Sequence, residues 1–157
     1  MPNLLKTMNI NDITIEKMTA EHIDGLVKIE NECFSKPWTH SGFENELTND
    51  TANFLVAVYN KIEIGYIGFH IVLDEGYVAN VAVLPEFRKC GVASVLLENA
   101  LKICREKNLA FLSLEVRKSN ENAISLYNKF GFEIVGERKN FYTTPTENAY
   151  IMTLYFT

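Results

Sequence analysis

The stretch from Val78 to Leu97 reads VANVAVLPEFRKCGVASVLL, and no other segment narrows so far what the chain can become. The run Tyr77 to Leu84 is rich in valine and apolar on both parities, which predicts a strand buried on both faces. Pro85 ends its ladder, because proline has no N–H to donate. From Val92 onward Val95, Leu96, Ala100 and Ile103 recur at helical spacing. The turn made of Arg88, Lys89, Cys90, Gly91, Val92, Ala93 and Ser94 therefore opens a helix, where unpaired backbone N–H groups and the positive dipole end favour an anion. Gly91 carries no Cβ to obstruct a phosphate or diphosphate, and Ala93 is nearly as small. The spacing predicts an anion cradle at the end of a strand.

Arg-x-x-Gly-x-Ala alone also suits a plain helix start. Neither G-x-G-x-x-G after a strand nor G-x-x-x-x-G-K-[ST] occurs, which points away from dinucleotide and nucleoside triphosphate chemistry.

A second strand, cap and helix follow in LSLEVRKSNENAISLYNKFGF, from Leu112 to Phe132. Alternation puts Phe111, Ser113, Glu115 and Arg117 on one strand face and Leu112, Leu114 and Val116 on the other. Burying an ionised carboxylate in such a strand is costly unless it is paired or wet, so Glu115 must reach a partner or a cleft. Ser119-Asn120 before the helix is a favourable N-cap. Tyr127 falls with Ala123, Ile124 and Phe130 on the inward helical face, an ordinary place for a core tyrosine.

The two segments at this separation closely resemble the acetyl-CoA-binding core of the GCN5-related N-acetyltransferase (GNAT) superfamily, and the resemblance runs from about Met8 through nearly the whole chain. Leu-Glu-Val-Arg-x-Ser-Asn, Ala-Ile-x-Leu-Tyr and Gly-Phe, followed by Arg138-Lys139-Asn140-Phe141-Tyr142, are most similar to the bacterial ribosomal-protein N-terminal-alanine acetyltransferases, the RimI group. The resemblance implies one α/β domain over residues 8–157, a mixed, largely antiparallel sheet with splayed parallel central strands and helices on both faces. It implies acetyl-CoA as co-substrate, held by main-chain groups of Val81, Ala82 and Val83, by the cradle Arg88 to Ser94, by Asn120 and by Tyr127. It also implies a protein N-terminus as acceptor, best matched by the N-terminal alanine of a small-subunit ribosomal protein, gripped by Phe34, Trp38, Arg138, Phe141 and Tyr142. Two departures stand out: Ala93 replaces the second cradle glycine, and Phe141 replaces the first tyrosine of a pair often seen there, removing one hydroxyl.

In that family Glu115 matches the proposed general base and Tyr127 the acid beside the cofactor sulfur. An α-amine, with a reference pKa of about 8, is mostly protonated near neutral pH and cannot attack a thioester until a base takes its proton. A phenol can then protonate the departing thiolate. Each residue retains a plain reading: Glu115 as a salt-bridged rim carboxylate, Tyr127 as core, Asn120 as cap, and Trp38 and Phe141 as cover for a sheet edge. Acetylation of a lysine or polyamine, or acyl-CoA binding without turnover, are the rival functions; Glu115 and Tyr127 together speak against the last.

Composition sets outer bounds. With 157 residues, 47% of them hydrophobic, the chain can bury a core. A net charge of −5 argues against nucleic acid and suits a basic partner. No apolar run reaches the ~18 residues a membrane span needs, and no secretory signal precedes Met8. Residues 1–7 read as a disordered extension or an upstream start. Cys33, Cys90 and Cys104 form no C-x-x-C pair, which points to a reducing cytoplasm; Cys90, with no histidine near it in sequence, reads as a bystander. His22, His40 and His70 show no metal-ligand spacing, and no metal is expected.

Patterning along the chain predicts a strand at 12–18, a helix from Thr19 to Glu32, a short helix capped by Thr39 to Leu47, and a hairpin of Phe54–Tyr59 with Ile62–Leu73 turning at Asn60-Lys61. After the helix that follows the cradle come a strand at 110–117, a helix at 120–130 stopped by Gly131, a strand at 132–138, an irregular loop and a last strand near 149–156.

Overall fold

The computed structural model describes residues 8–157; the expected extension, residues 1–7, lies outside the described residues. Seven strands form one sheet in the order β1-β2-β3-β4-β5-β7-β6. They are β1 (Thr14–Lys17), β2 (Ala52–Tyr59), β3 (Ile62–Val72), β4 (Glu75–Val83), β5 (Phe111–Arg117), β6 (Glu133–Thr143) and β7 (Thr146–Tyr155), with helices α1 (Ile23–Cys33), α2 (His40–Leu47), α3 (Val92–Glu106) and α4 (Glu121–Lys129) between them. The mixed, largely antiparallel α/β sheet is thus as expected. The β1–β2, β2–β3, β5–β7 and β6–β7 pairs are antiparallel, and β4 runs parallel to β5. Contacts divide the chain into two compact units: the described part of Met1–His70 with Ala79–Ile103, and Ile71–Val78 with Cys104–Thr157. Among the described residues no helix is long and apolar enough to cross a membrane.

In the first unit, local chemistry fixes each boundary. Thr19 opens a capping box with His22, whose Nδ1 accepts the Thr19 N–H at 2.9 Å; the first turn is 3-10, and α1 proper begins only at Ile23. Thr39 caps α2 as expected, its hydroxyl accepting the Gly42 N–H at 3.2 Å. Asn60 and Lys61 turn the β2–β3 hairpin with φ of 48° and 64°, the left-handed pair that a tight hairpin with right-twisted strands requires. The centre of this unit is aromatic. Phe43 meets Tyr66 edge-on at 5.5 Å between ring centroids, Phe54 stacks on Tyr66 at 6.2 Å, and Trp38 closes on Phe43 at 5.3 Å. Phe54 stands opposite Gly68 in the ladder, and its ring occupies the space above that glycine.

In the second unit, β5 alternates as its sequence dictates: Leu112, Leu114 and Val116 are buried, while Phe111, Ser113, Glu115 and Arg117 are half-buried. Asn120 caps α4 by accepting the Ala123 N–H at 3.2 Å, and Gly131 stops it with φ of +96°. The parallel ladder pairs Glu75–Tyr77 with Phe111–Ser113.

Two expectations need correction. The strand before the cradle is not buried on both faces: Gly76 and Ala82–Leu84 are buried, but Tyr77 and Ala79 are exposed, so its first half presents one open face. The irregular loop expected after residue 138 is instead ladder. β6 continues to Thr143 and pairs with β7 from Glu133↔Thr153 to Thr143↔Thr146, with irregularities at Ile134/Gly136 and Arg138/Tyr142. Nearly all of β6 is exposed, so no hydrophobic alternation marks it.

The Phe54–Gly68 pairing yields a stability prediction. A Cβ at Gly68 would lie 2.3 Å from Phe54 Cε2 and 2.4 Å from Cζ, and that ring is held between Trp38, Phe43 and Tyr66. Gly68→Ala should lower unfolding free energy by about 1–3 kcal/mol through overpacking, read as a reduced urea midpoint. An unchanged midpoint would show that the ring yields.

Candidate functional site

The first unit carries the cradle. Leu84 donates to Ile64 O at 2.8 Å, Pro85–Phe87 form a 3-10 turn, and Lys89 and Gly91 adopt φ of 62° and 86°. A Cβ at Gly91 would meet the Ile10 side chain at an ordinary 3.5 Å or more, so it is the backbone angle rather than crowding that calls for glycine. Val95 N–H closes onto Gly91 O at 3.1 Å. In the first turn of α3 the amides of Val92, Ala93 and Ser94 have no intrahelical acceptor. Free amides, the dipole of a fifteen-residue helix and the left-handed backbone at Gly91 suit an anionic phosphate. Arg88 does not point freely into this space. Its Nε donates to Val83 O at 3.2 Å and its Nη2 to Cys33 Sγ at 3.3 Å, while the Cys33 thiol also donates to Val83 O at 3.4 Å. Burial pushes the Cys33 thiol up. Cys90 donates to Arg88 O at 3.4 Å. Val92, Ala82 and Val83 are buried.

The same unit holds a polar cluster around Glu30 that no motif in the sequence marks. Glu30 is 1% exposed, and its carboxylate accepts from Trp38 N–H at 2.9 Å, Tyr66 O–H at 2.7 Å and Asn80 Nδ2 at 3.0 Å. Asn80 Oδ1 in turn accepts the Val81 N–H at 3.1 Å. Burial holds the Glu30 carboxyl above the usual range against the opposing effect of the Trp38 and Tyr66 hydrogen bonds. The available signal was a carboxylate beside Ile29 at core spacing. Trp38 is half-buried and Phe34 exposed. The three histidines each face a carboxylate, His22 with Glu16, His40 with Glu44 and Asp24, and His70 with Glu46, which spacing alone did not reveal.

The second unit carries the acid–base candidates. Glu115 and Arg138 line one cleft of about 240 Å³ together with Tyr77, Phe111, Ser113, Ile151, Thr153 and Tyr155. Arg138 Nε lies 3.4 Å from Glu115 Oε1, and the carboxylate side chain is 28% exposed; it is paired and open at once. Arg138 also sits over the Phe141 ring at 5.7 Å, and Phe141 meets Tyr142 edge-on at 5.0 Å. Arg117 sets Tyr142: it lies 4.2 Å above that ring while donating to Thr144 O and Pro145 O at 3.0 Å and to Glu147 at 3.2 Å. Four residues expected at the acceptor and base positions, Glu115, Arg138, Phe141 and Tyr142, are thus linked in one chain of contacts.

Tyr127 packs its ring 5.7 Å from Phe132, and burial, with a smaller effect from Tyr142, pushes its phenol up to about 12. No described side-chain oxygen or nitrogen is both buried and without a partner. The Tyr127 hydroxyl takes no hydrogen bond among the described residues. With its phenol so raised, Tyr127 stays protonated throughout the physiological range. Asn120 does serve as a cap, so its side-chain oxygen is engaged and its amide N–H₂ is left for other contacts.

Comparison with known proteins shows the family. The family model described as Acetyltransferase (GNAT) family matches residues 23–132. A Bacillus subtilis (strain 168) protein that carries the provisional name ribosomal protein bS18-alanine N-acetyltransferase is 41% identical over 139 residues, covering 88% of this chain and 92% of its own. The Escherichia coli (strain K12) ribosomal protein bS18-alanine N-acetyltransferase is 32% identical over 143 residues, 90% of this chain and 96% of its own. The crystal structure of the Escherichia coli ribosomal-protein-S18-alanine N-acetyltransferase superposes with a TM-score of 0.85 at 29% identity, covering 92% of this chain and 94% of that one. With the cradle, the paired carboxylate and the buried phenol already in place, these likenesses make the chain a member of the GNAT acetyltransferase family, an acetyl-CoA-dependent N-acetyltransferase.

Proposed function

We propose that this enzyme acetylates the N-terminal α-amine of a protein in the cytoplasm, with the N-terminal alanine of ribosomal protein bS18 as its acceptor. The observation that carries the reading is Glu115: a half-open carboxylate lining a cleft, backed by Arg138, in a chain whose relatives bear the name of that reaction. The three cysteines are free thiols, in keeping with a reducing compartment.

Acetyl-CoA supplies the activated thioester. The amides of Val92 to Ser94 hold its diphosphate, with Gly91 shaping the approach, and main-chain groups of Val81 and Val83 and the Asn120 amide are the further contacts. Glu115 takes a proton from the acceptor ammonium, directly or through a water, and frees the nitrogen lone pair. The amine nitrogen forms the new C–N bond at the thioester carbonyl, and the C–S bond breaks. Tyr127, protonated because burial raises its phenol to about 12, donates its proton to the departing sulfur, and the second proton shed by the acceptor nitrogen as the amide forms returns through water to the phenolate. In the second unit Arg138, Phe141 and Tyr142 border the acceptor. Rings there favour a small first residue over a bulky one.

Three outcomes are expected. Gly91→Glu adds bulk and like charge at the cradle and should abolish acetyl-CoA binding by calorimetry in a folded protein; unchanged binding would dismiss the cradle. Glu115→Gln should lower turnover roughly 10²-fold or more at neutral pH with acetyl-CoA affinity retained, and a wild-type rate across the neutral to alkaline range would place the base elsewhere. In a peptide panel read by mass spectrometry, peptides beginning with Ala, and to a lesser degree Ser or Gly, should be acetylated at the terminus, while the same peptides blocked there stay unmodified even when they contain lysine. Robust acetylation of the blocked lysine peptides would replace the Nα reading with lysine acetylation.

A further inference from the structure

Glu30 clamps both ends of one loop. Its main-chain carbonyl accepts the Phe34 N–H at 2.9 Å, and its side-chain Oε1 accepts the Trp38 N–H, also at 2.9 Å. Between those bonds runs the α1–α2 connection that carries Phe34 and Trp38. The second carboxylate oxygen, Oε2, accepts from Tyr66 O–H on β3 at 2.7 Å and Asn80 Nδ2 on β4 at 3.0 Å, while Asn80 Nδ2 is also 3.0 Å from Tyr66 Oη. With its N–H₂ held in this way, Asn80 can aim only Oδ1 at the Val81 N–H, at 3.1 Å. The bonds link a surface loop, through one carboxylate, to the backbone of β4.

A buried carboxylate is a poor way to gain stability, because desolvation offsets most of what its partners return. What it supplies is direction. It offers acceptors only, so three donors from three elements are fixed with respect to it and to one another. We infer that Glu30 is a positioning residue for acceptor capture: it sets the Phe34–Trp38 loop in register with β4 through Trp38 N–H, Tyr66 and Asn80. The inference rests on the reading that the enzyme transfers acetyl to a peptide α-amine, and it adds a determinant that touches neither substrate.

Glu30→Gln keeps the shape and removes one acceptor. If the amide oxygen faces Trp38 N–H, its N–H₂ faces Asn80 N–H₂; Asn80 must then turn over and abandon Val81 N–H. If it is reversed, two N–H groups collide at Trp38. The variant should therefore raise KM for an alanine-initiated peptide about tenfold or more, with kcat within about threefold and acetyl-CoA affinity by calorimetry unchanged. Trp38 is the single tryptophan of the chain, so its fluorescence reports the loop without reference to any acceptor: its emission should shift to the red and acrylamide should quench it faster. A folded variant with wild-type peptide KM and wild-type quenching overturns the inference, and so does a lower active fraction with KM unchanged, which is what support of the fold alone would give. Should Glu30→Gln fail to fold, Tyr66→Phe keeps the ring and removes one donor. It should raise peptide KM about threefold or more with faster quenching, and wild-type values of both would be equally decisive against the inference. Wild-type protein that leaves the peptide unmodified removes the peptide α-amine reading instead, while the quenching comparison still decides whether Glu30 holds the loop.

Discussion

The second unit depends on the register between β5 and β7. Leu112 stands opposite Leu154, Leu114 opposite Met152 and Val116 opposite Tyr150, and Leu112, Leu114, Val116 and Met152 are all buried. Side chains alternate along a strand, so a slip of one residue would turn this apolar set outward and drive Glu115 and Arg117 inward. The cost of that exchange holds the register. Once it is held, Glu115 must emerge on the face with Ser113, and Arg117 must emerge beside the tip of the β6–β7 hairpin. A carboxylate placed by the packing of its strand neighbours needs no loop of its own to aim it.

The first unit reaches a comparable result with polar groups. Its aromatic centre of Phe43, Phe54, Tyr66 and Trp38 presents a hydroxyl and an indole-bearing backbone to the buried carboxylate of Glu30. Tyr66 is the joint: its ring packs in the core, and its hydroxyl ends on Glu30. A phenylalanine would pack as well and leave the carboxylate short of a donor. At the end of β4 the same economy recurs, since Arg88 holds Val83 O rather than standing free, and the anion-seeking groups of the turn are left to the backbone.

Much of this was legible in residues whose local chemistry is decisive. Thr39 and Asn120 cap helices because a short oxygen-bearing side chain can reach an amide three residues on, and Asn60-Lys61 turns a hairpin where the chain must enter the left-handed region. The alternation of β5 follows from period two alone. β6 was illegible for the opposite reason: exposed on almost every residue, it owes its strand state to β7 and leaves no pattern of its own. Glu30 sat in plain view beside Ile29, but its partners lie 8, 36 and 50 positions away in sequence, and no window of local periodicity spans that. The pairing of Glu115 with Arg138, likewise, exists only through the sheet.

The irregular outer strand has a consequence of a different kind. β6 ends the sheet, and it exposes Ile134, Val135 and Phe141, the composition that invites another molecule's strand to add on. Its ladder breaks register at Ile134/Gly136 and again at Arg138/Tyr142, and Glu137, bound to Lys118, sets charge between the two breaks. A strand so interrupted offers no long straight row of free N–H and C=O groups. The bends that carry Arg138 and Tyr142 also make this edge a poor template for strand addition, so straightening β6 would raise the tendency to aggregate edge to edge.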